Sequence, residues 1–497
     1  MKRPDPMNIT LRTLREAVFS LLVACLVTAA AILPARPAAA QTLPYTVSSL
    51  ATAGAGPSAA RDHDAIFVNP ANLVYNDRGG SVVMSFMPFR LMAGGNLVQF
   101  GFYNDGLQNG TLTEDRKHEL LDNWFGPADR NAMRFVGVSA GVVPFALVVR
   151  GTNWGAGFAA QVRSHNRMGM NRGLVDLALR GMTEVRTVPL DAAMESMNSV
   201  HLSFAYSRRL PARRLAIGIA PRIILGTSYA EGRLNSTVDI EEDAIVHHFD
   251  YSIRAAGSFS EDVLDRFEVL GAADPIDRSV KNPFGDIAGR GAGIDLGITY
   301  DMRPNVAVAI SLTDLGFVKW SAGARRVTPV HSEFRFEGLD LDLDRIDAEF
   351  DGQLGDYVSH VVDSLANDAY GTTERRDVSF ITGTPAVFHT GGTLYFANRL
   401  GALSAGASIP LNEATGNLTR RPAAYMGVEY RLGRRYGIPL RAGVRLGGSS
   451  AVRVAAGIGL HTPIWEFGIS AALTPDSEMA GGGMRVTVGV SLLTFRF

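Results

Sequence analysis

Tyr436-Gly437-Ile438-Pro439-Leu440-Arg441-Ala442-Gly443-Val444-Arg445-Leu446-Gly447 is the stretch that decides the fold. Ile438, Leu440, Ala442, Val444 and Leu446 alternate with Pro439, Arg441, Gly443 and Arg445, so one face is apolar and the other small or cationic. A period of two specifies a strand. The pattern returns from Val452 to Leu460 and from Trp465 to Leu473, with tight links at Gly447-Gly448-Ser449-Ser450 and His461-Thr462-Pro463 of the kind hairpins use. Soluble sandwiches alternate in the same way. Runs of about ten residues, however, match the span a tilted strand needs to cross a hydrocarbon core.

The fourth run, Met484 to Phe497, ends Leu493-Thr494-Phe495-Arg496-Phe497. It resembles the C-terminal signature read by the outer-membrane barrel assembly machinery, although Gly489 and Ser491 stand where further apolar residues are usual. The resemblance implies that Phe497 engages that machinery. Composition points the same way: 53 glycines and 20% charged residues, with a mean hydropathy of +0.08, fit apolar residues spread thinly over one face of many strands. A formal charge of -1 gives no basis for a nucleic-acid partner.

Lys2, Arg3, Arg12 and Arg15 precede an apolar run from Ala17 to Leu33, and Ala38-Ala39-Ala40 offers a small-residue cleavage site. Residues 1–40 therefore read as a secretory signal cut near Ala40. Leu22-Val23-Ala24-Cys25 resembles a lipobox, but Cys25 lies inside the apolar run and not at its end. The single cysteine would leave with the signal, so no disulfide framework is expected. No later run of about eighteen apolar residues suggests a transmembrane helix. Export without such a helix, with many amphipathic strands, predicts the outer membrane of a diderm bacterium. Only a closed barrel keeps every strand paired there.

Residues 41–80 do not read as strand. Ser48-Ser49-Leu50, Gly54-Ala55-Gly56, Asp64-Ala65 and Asn69-Pro70-Ala71-Asn72-Leu73 resemble the N-terminal hatch of the long-chain fatty-acid transporter (FadL-type) family. The resemblance covers about thirty residues and implies a plug in the barrel lumen, with Asn69, Pro70 and Ala71 as its gate element. From the residues alone, Pro70 biases Asn69 away from helical angles and lets its side chain cap the next turn; an ordinary loop start reads the same.

Residues 81–497 read as the barrel. Strands are expected at Ser81 to Arg90, Asn96 to Tyr103, Met133 to Gly141, Phe145 to Arg150, Gly155 to Arg163, Ser199 to Ser207 and Leu215 to Tyr229, and more weakly at Asp239 to Ser258. Gly291 to Val318 reads as a hairpin turning at Asp301 to Asn305, and strands run continuously from Pro385. Thr113 to Trp124 reads as a helix capped by Thr113, Arg172 to Gly181 as a short helix, Glu261 to Phe284 as a polar loop, and 339–366 as an acidic amphipathic helix. The fold class is thus all-β: a transmembrane antiparallel barrel of about fourteen strands, twelve to sixteen being tolerated, with an N-terminal plug and a few short helices in loops. Gly293-Ile294-Asp295-Leu296-Gly297, Leu312-Thr313-Asp314-Leu315-Gly316-Phe317 and Trp320 resemble a widespread, functionally uncharacterised family of outer-membrane barrels. That family supplies no activity.

No constellation points to catalysis. His247 and His248 would face opposite sides of a strand, Asp62-His63-Asp64 has no evident partner, and no nucleophile elbow, metalloprotease pair or phosphate loop occurs. No enzyme activity, metal or cofactor is expected. Lys occurs only at positions 2, 117, 281 and 319, so almost all cations are Arg. Arg420, Arg421, Arg441, Arg445 and Arg453 are candidates to line the lumen or to engage lipopolysaccharide phosphates, while a codon preference explains the same bias. By resemblance, the function implied is a channel for small hydrophobic, fatty-acid-like compounds. The alternative is a non-transporting barrel that partners protein secretion or surface assembly through its long Ser321 to Pro385 insertion. Outer-membrane lipid and lipopolysaccharide, the assembly machinery and a small hydrophobic ligand are the partners either reading implies.

Overall fold

Along Ile438–Gly447 the exposed residues are Ile438, Leu440, Ala442 and Leu446, whereas Pro439, Arg441 and Arg445 are buried. Val452–His461 repeats this sense, with Val454, Ala456, Ile458 and Leu460 outward and Arg453, Ala455 and His461 inward. A water-soluble sheet buries its apolar face; this inverted arrangement is a wall with lipid outside and a polar lumen within.

The computed structural model describes residues 46–76, 80–97, 113–126, 133–181, 186–257, 286–337, 373–415, 421–448, 452–476 and 483–497. The readings on 1–40, 98–103, 261–284, 339–366 and Arg420 lie outside them.

Before the wall, the chain forms α1 (Val47–Ala51), α2 (His63–Val68) and a 3-10 turn, Pro70–Val74. The wall has fourteen strands. β1 is Val82–Phe86 continued by Phe89–Gly95, followed by β2 (Arg134–Arg150), β3 (Trp154–Met170), β4 (Ala192–Leu210), β5 (Leu215–Ile240), β6 (Gly289–Arg303) and β7 (Val306–Trp320). β8 is Phe380–Gly383 continued by Val387–Phe396, then come β9 (Gly401–Pro410), β10 (Ala423–Leu432), β11 (Ile438–Gly447), β12 (Val452–His461), β13 (Trp465–Asp476) and β14 (Gly483–Arg496). Each strand pairs antiparallel with the next, and β14 returns to β1 with Val83 opposite Arg496 and Arg90 opposite Gly489. Closure leaves no edge exposed to lipid, where an unpaired backbone group costs several kcal/mol.

Short links at 151–153, 211–214, 304–305, 397–400, 433–437 and 462–464 lie at one end, and the longest connections at the other. By the usual rule for such barrels the short turns are periplasmic. Near that end Phe495, Phe86, Phe145, Phe158 and Phe204 form a chain of rings on the outer wall, successive centroids 5.2–6.4 Å apart. This is the aromatic girdle expected at a membrane interface.

Several elements differ from expectation. β1 ends at Gly95 because Asn96 Oδ1 accepts from Phe135 N (2.6 Å) and turns the chain off the ladder. The two strands expected at 133–141 and 145–150 are one, β2, with a register shift between Val142 and Phe145. Pro144 cannot donate to the ladder there; Val143 N donates to the Pro88 carbonyl (2.9 Å) across a matching break in β1. β6 runs through to Arg303, beyond the turn expected from Asp301. Ile245–Gly257 is a full strand, although it belongs to an extension and not to the wall. Beyond Ser228, β5 pairs with it, and Arg325–Pro329, Glu333–Phe336, Thr373–Asp377 and Arg186–Pro189 complete a sheet that projects from the long-loop end. At that end α3 (Glu114–Phe125) packs Leu121 and Phe125 against Val175 and Leu179 of α4 (Arg172–Arg180). Thr113 occupies the cap position of α3, but its side chain makes no capping bond.

Candidate functional site: plug and lumen

Thr46 Oγ1 accepts from Ser49 N to start α1, and Ala53 and Gly54, both at positive φ, turn the chain back after it. Asn69 is extended (φ -160), as the following proline requires, and Oδ1 accepts from Ala71 N to cap Pro70–Val74. Its Nδ2 donates to the Pro57 carbonyl (2.7 Å) and to Thr299 Oγ1 of β6 (3.0 Å). Thr299 in turn donates to Asn72 Oδ1 (2.7 Å). Both asparagines are fully buried, and every one of these bonds fixes the plug to itself or to the wall. Asn69, Pro70 and Ala71 thus sit at the plug's main contact with β5 and β6.

The wall receives the plug in sockets of missing side chains. A Cβ on Gly218 would lie 2.3 Å from both Pro70 C and Ala71 N, and one on Gly297 would lie 1.9 Å from Asn69 Oδ1. On the opposite side, a Cβ on Gly443 would stand 2.3 Å from Thr52 C. Apolar packing adds a directional anchor. Ile66, Phe67 and Leu73 bury against Val83, Val143, Ala146, Val148, Ala159, Ala205 and Ala220 of β1 to β5. Each large side chain so buried contributes about 1.5–3 kcal/mol.

Asp62, whose partner the sequence does not reveal, is the ionic centre of the plug. Arg150 of β2 donates to its Oδ1 (2.6 Å) and Arg496 of β14 to its Oδ2 (2.9 Å). Arg150 Nε also holds the Leu73 carbonyl (2.8 Å), and Arg496 continues to Glu466. His63 Nδ1 lies 2.8 Å from Ser85 Oγ. Among the described residues no group of side chains could hold a metal ion.

Outward of the plug, the lumen is layered. On β5, the deeply buried Arg222 is bound to Asp295 and Asp314, and the partly exposed Arg163 donates to Asp314 (2.6 Å). Two residues further along, Ile224 joins Met197, Tyr229, Val318 and Trp320 in an apolar cluster with Phe380 packed on it. Tyr229 and Trp320 rings are 5.3 Å apart. Towards the periplasmic rim, a small open crevice lies between the plug and β8 to β10. Ser49, Thr52, Ala59 and Arg61 face Tyr395 and Glu429 across it.

Arg441, Arg445 and Arg453 point into the lumen, 6%, 5% and 0% exposed. Arg441 Nε donates to Glu429 (2.7 Å) with Glu466 at 3.6 Å, whereas Arg445 and Arg453 sit opposite each other on β11 and β12. Arg421 precedes β10 at the long-loop end, apart from these three, and is half-buried. His248 lies 3.6 Å from Asp239 and 3.5 Å from Glu333, outside the lumen on the projecting sheet.

A closed wall with an apolar exterior, an inward-facing polar side and a docked N-terminal segment defines a plugged outer-membrane β-barrel. Over residues 92–490 the sequence matches the model of a family of unknown function (DUF5723), and the chain belongs to that family. No curated protein matches it. Among solved structures it is similar to the Ralstonia pickettii toluene transporter TbuX, with 11% identity, 92% of this chain and 99% of that chain covered, and a TM-score of 0.47. It is similar also to a Pseudomonas aeruginosa FadL homologue (13%, 93% and 100%, 0.44) and to the P. putida toluene transporter TodX (10%, 92% and 99%, 0.47).

Proposed function

We propose that this barrel is a channel for small hydrophobic, fatty-acid-like compounds, gated by movement of its plug about Asn69-Pro70-Ala71. The observation that carries the reading is the apolar cluster of Met197, Ile224, Tyr229 and Trp320 at the outer end of the lumen. A porin lumen is polar along its length; this one carries an apolar cluster at its outer end, packed closed in this structure, which an entering apolar guest would part and line its path with. The plug has an asymmetric grip: its largest apolar contact is with β1 to β5, whereas towards β8 it is held by polar bonds, Ser58 to Thr393 (2.6 Å) and Arg61 to Tyr395 (2.6 Å), beside the crevice. In this reading motion begins on the polar side. The same reading has the chain exported by residues 1–40 and inserted through Phe497. Its carbonyl accepts from Ser81 N and Val82 N at the β1–β14 seam.

Native mass spectrometry of the detergent-purified protein tests the proposal. Gentle activation is expected to release an apolar molecule retained from the host. The second reading, a partner in secretion or surface assembly, is favoured by the projecting sheet, whose strands Glu333–Phe336 and Thr373–Asp377 pair on one side only among the described residues. An empty barrel carrying a stoichiometric protein would replace the channel with that role.

A further inference from the structure

Four consecutive strands place one register row across the lumen wall: Arg445 on β11 faces Arg453 on β12, and Thr474 on β13 faces Arg485 on β14. Arg453 Nε donates to Thr474 Oγ1 (3.0 Å), which links the two halves of the row. Like charges placed directly opposite on a sheet repel. Among the described residues, the charged side chains that act on Arg453 are Arg445, Arg485 and Arg90, all cations. Arg90 and Arg485 have contacts of their own. Among the described residues Arg445 and Arg453 meet neutral acceptors only: Arg445 Nη2 donates to Ser408 Oγ (2.8 Å), Arg453 to Thr474.

Both terminal nitrogens of Arg453 and Nε of Arg445 are buried without a hydrogen-bond partner among the described residues. Buried guanidinium groups are normally matched by carboxylates, as Arg150, Arg222, Arg441 and Arg496 are in this same lumen. The unmatched pair also lies against the plug. A Cβ on Gly54, in the turn after α1, would stand 3.2 Å from Arg445 Nη1.

From this geometry we infer that Arg445 and Arg453 form an oxyanion site between the plug turn and the β11–β12 wall, taking the carboxylate or phosphate head of an amphiphile. This deepens the channel reading and rests on it. Planar N–H forks suit both heads, since each offers two oxygens to parallel donors. An anion there supplies the missing counter-charge and draws Arg445 off the Gly54 turn, so the head group loosens the plug that its own tail must pass.

Binding of dodecanoate, dodecyl phosphate and dodecanol to the purified full-length barrel tests the inference, because the three share a tail and differ in the head. The two anions are expected to bind roughly tenfold or more tighter than the alcohol. Arg453→Met and Arg445→Met should erase that preference, and Arg453→Lys, which keeps the charge and loses the fork, should retain part of it. Heat-modifiable gel mobility verifies that each variant is folded, and Arg453→Met should resist heat better than the parent once its unmatched charge is gone. A tighter phosphate than carboxylate identifies a phosphorylated amphiphile, and the reverse a free acid. Equal binding of all three compounds, or a preference that survives in both Met variants, overturns the site while leaving a hydrophobic channel intact. Acetate and inorganic phosphate binding as well as the long-chain anions would uphold the site and remove the hydrophobic reading.

Discussion

Asn69→Ala separates plug docking from barrel assembly. The side chain makes three hydrogen bonds, to the Pro57 carbonyl, to Thr299 Oγ1 and from Ala71 N. Truncation leaves Pro57 and Thr299 still bound to Asn72, but strands Ala71 N in the wall socket. Only the bond to Thr299 crosses from plug to wall; at about 1 kcal/mol it gives a loss of roughly 1 kcal/mol in docking, the other two bonds being internal to the plug. At about 1.4 kcal/mol per decade, that is a shift of roughly fivefold towards the undocked plug. No ladder bond is touched, so heat-modifiable mobility should stay at the parental value. In planar bilayers the open fraction should rise by up to about fivefold, and limited proteolysis should cut the 46–76 segment correspondingly faster. A folded variant with parental conductance and parental proteolysis would refute the assignment of Asn69 to the gate.

Asp62→Asn leaves two buried guanidinium groups without their shared carboxylate. It is expected to cost about 3–5 kcal/mol, measured as a lower temperature for plug release by proteolysis. Gly218→Val introduces atoms where Pro70 and Ala71 already stand, so it should displace the 3-10 turn and raise conductance while β5 still pairs with β6. Burial, and then the Asp301 carboxylate, raise the Tyr75 phenol above its ordinary value of 10. A raised phenol favours the docked state fully below pH 10 and loses that contribution as the pH climbs through the higher docked-state value. Plug protection should therefore weaken above pH 10 in the parent, and Tyr75→Phe should flatten the profile.

The wall was legible because its signal is local. Ile438 to Leu446 states its period within ten residues, and repetition from β9 to β14 gives the strand count its scale. Pro144 and Pro88 were visible as letters, but that they face each other as a paired break depends on register. The plug's outline was readable from Asn69-Pro70-Ala71, whereas its fastening was not. Asp62 meets Arg150 at a separation of 88 residues and Arg496 at 434, and no periodicity carries such information. In the sequence the glycines read only as barrel composition, yet Gly218, Gly297 and Gly443 are sockets, a meaning that only the docked segment supplies. The projecting sheet is not legible in the sequence because the apolar alternation of β5 fades near Tyr229, where its partner changes from β6 to Ile245–Gly257.

β1 lies between β2 and β14, and Asp62 reaches across it to one arginine on each. The two cations come within a single carboxylate's reach only when β14 has zipped onto β1. Plug docking therefore reports on closure of the wall: a ring that failed to seal would hold Asp62 by one arginine instead of two, and its plug less firmly.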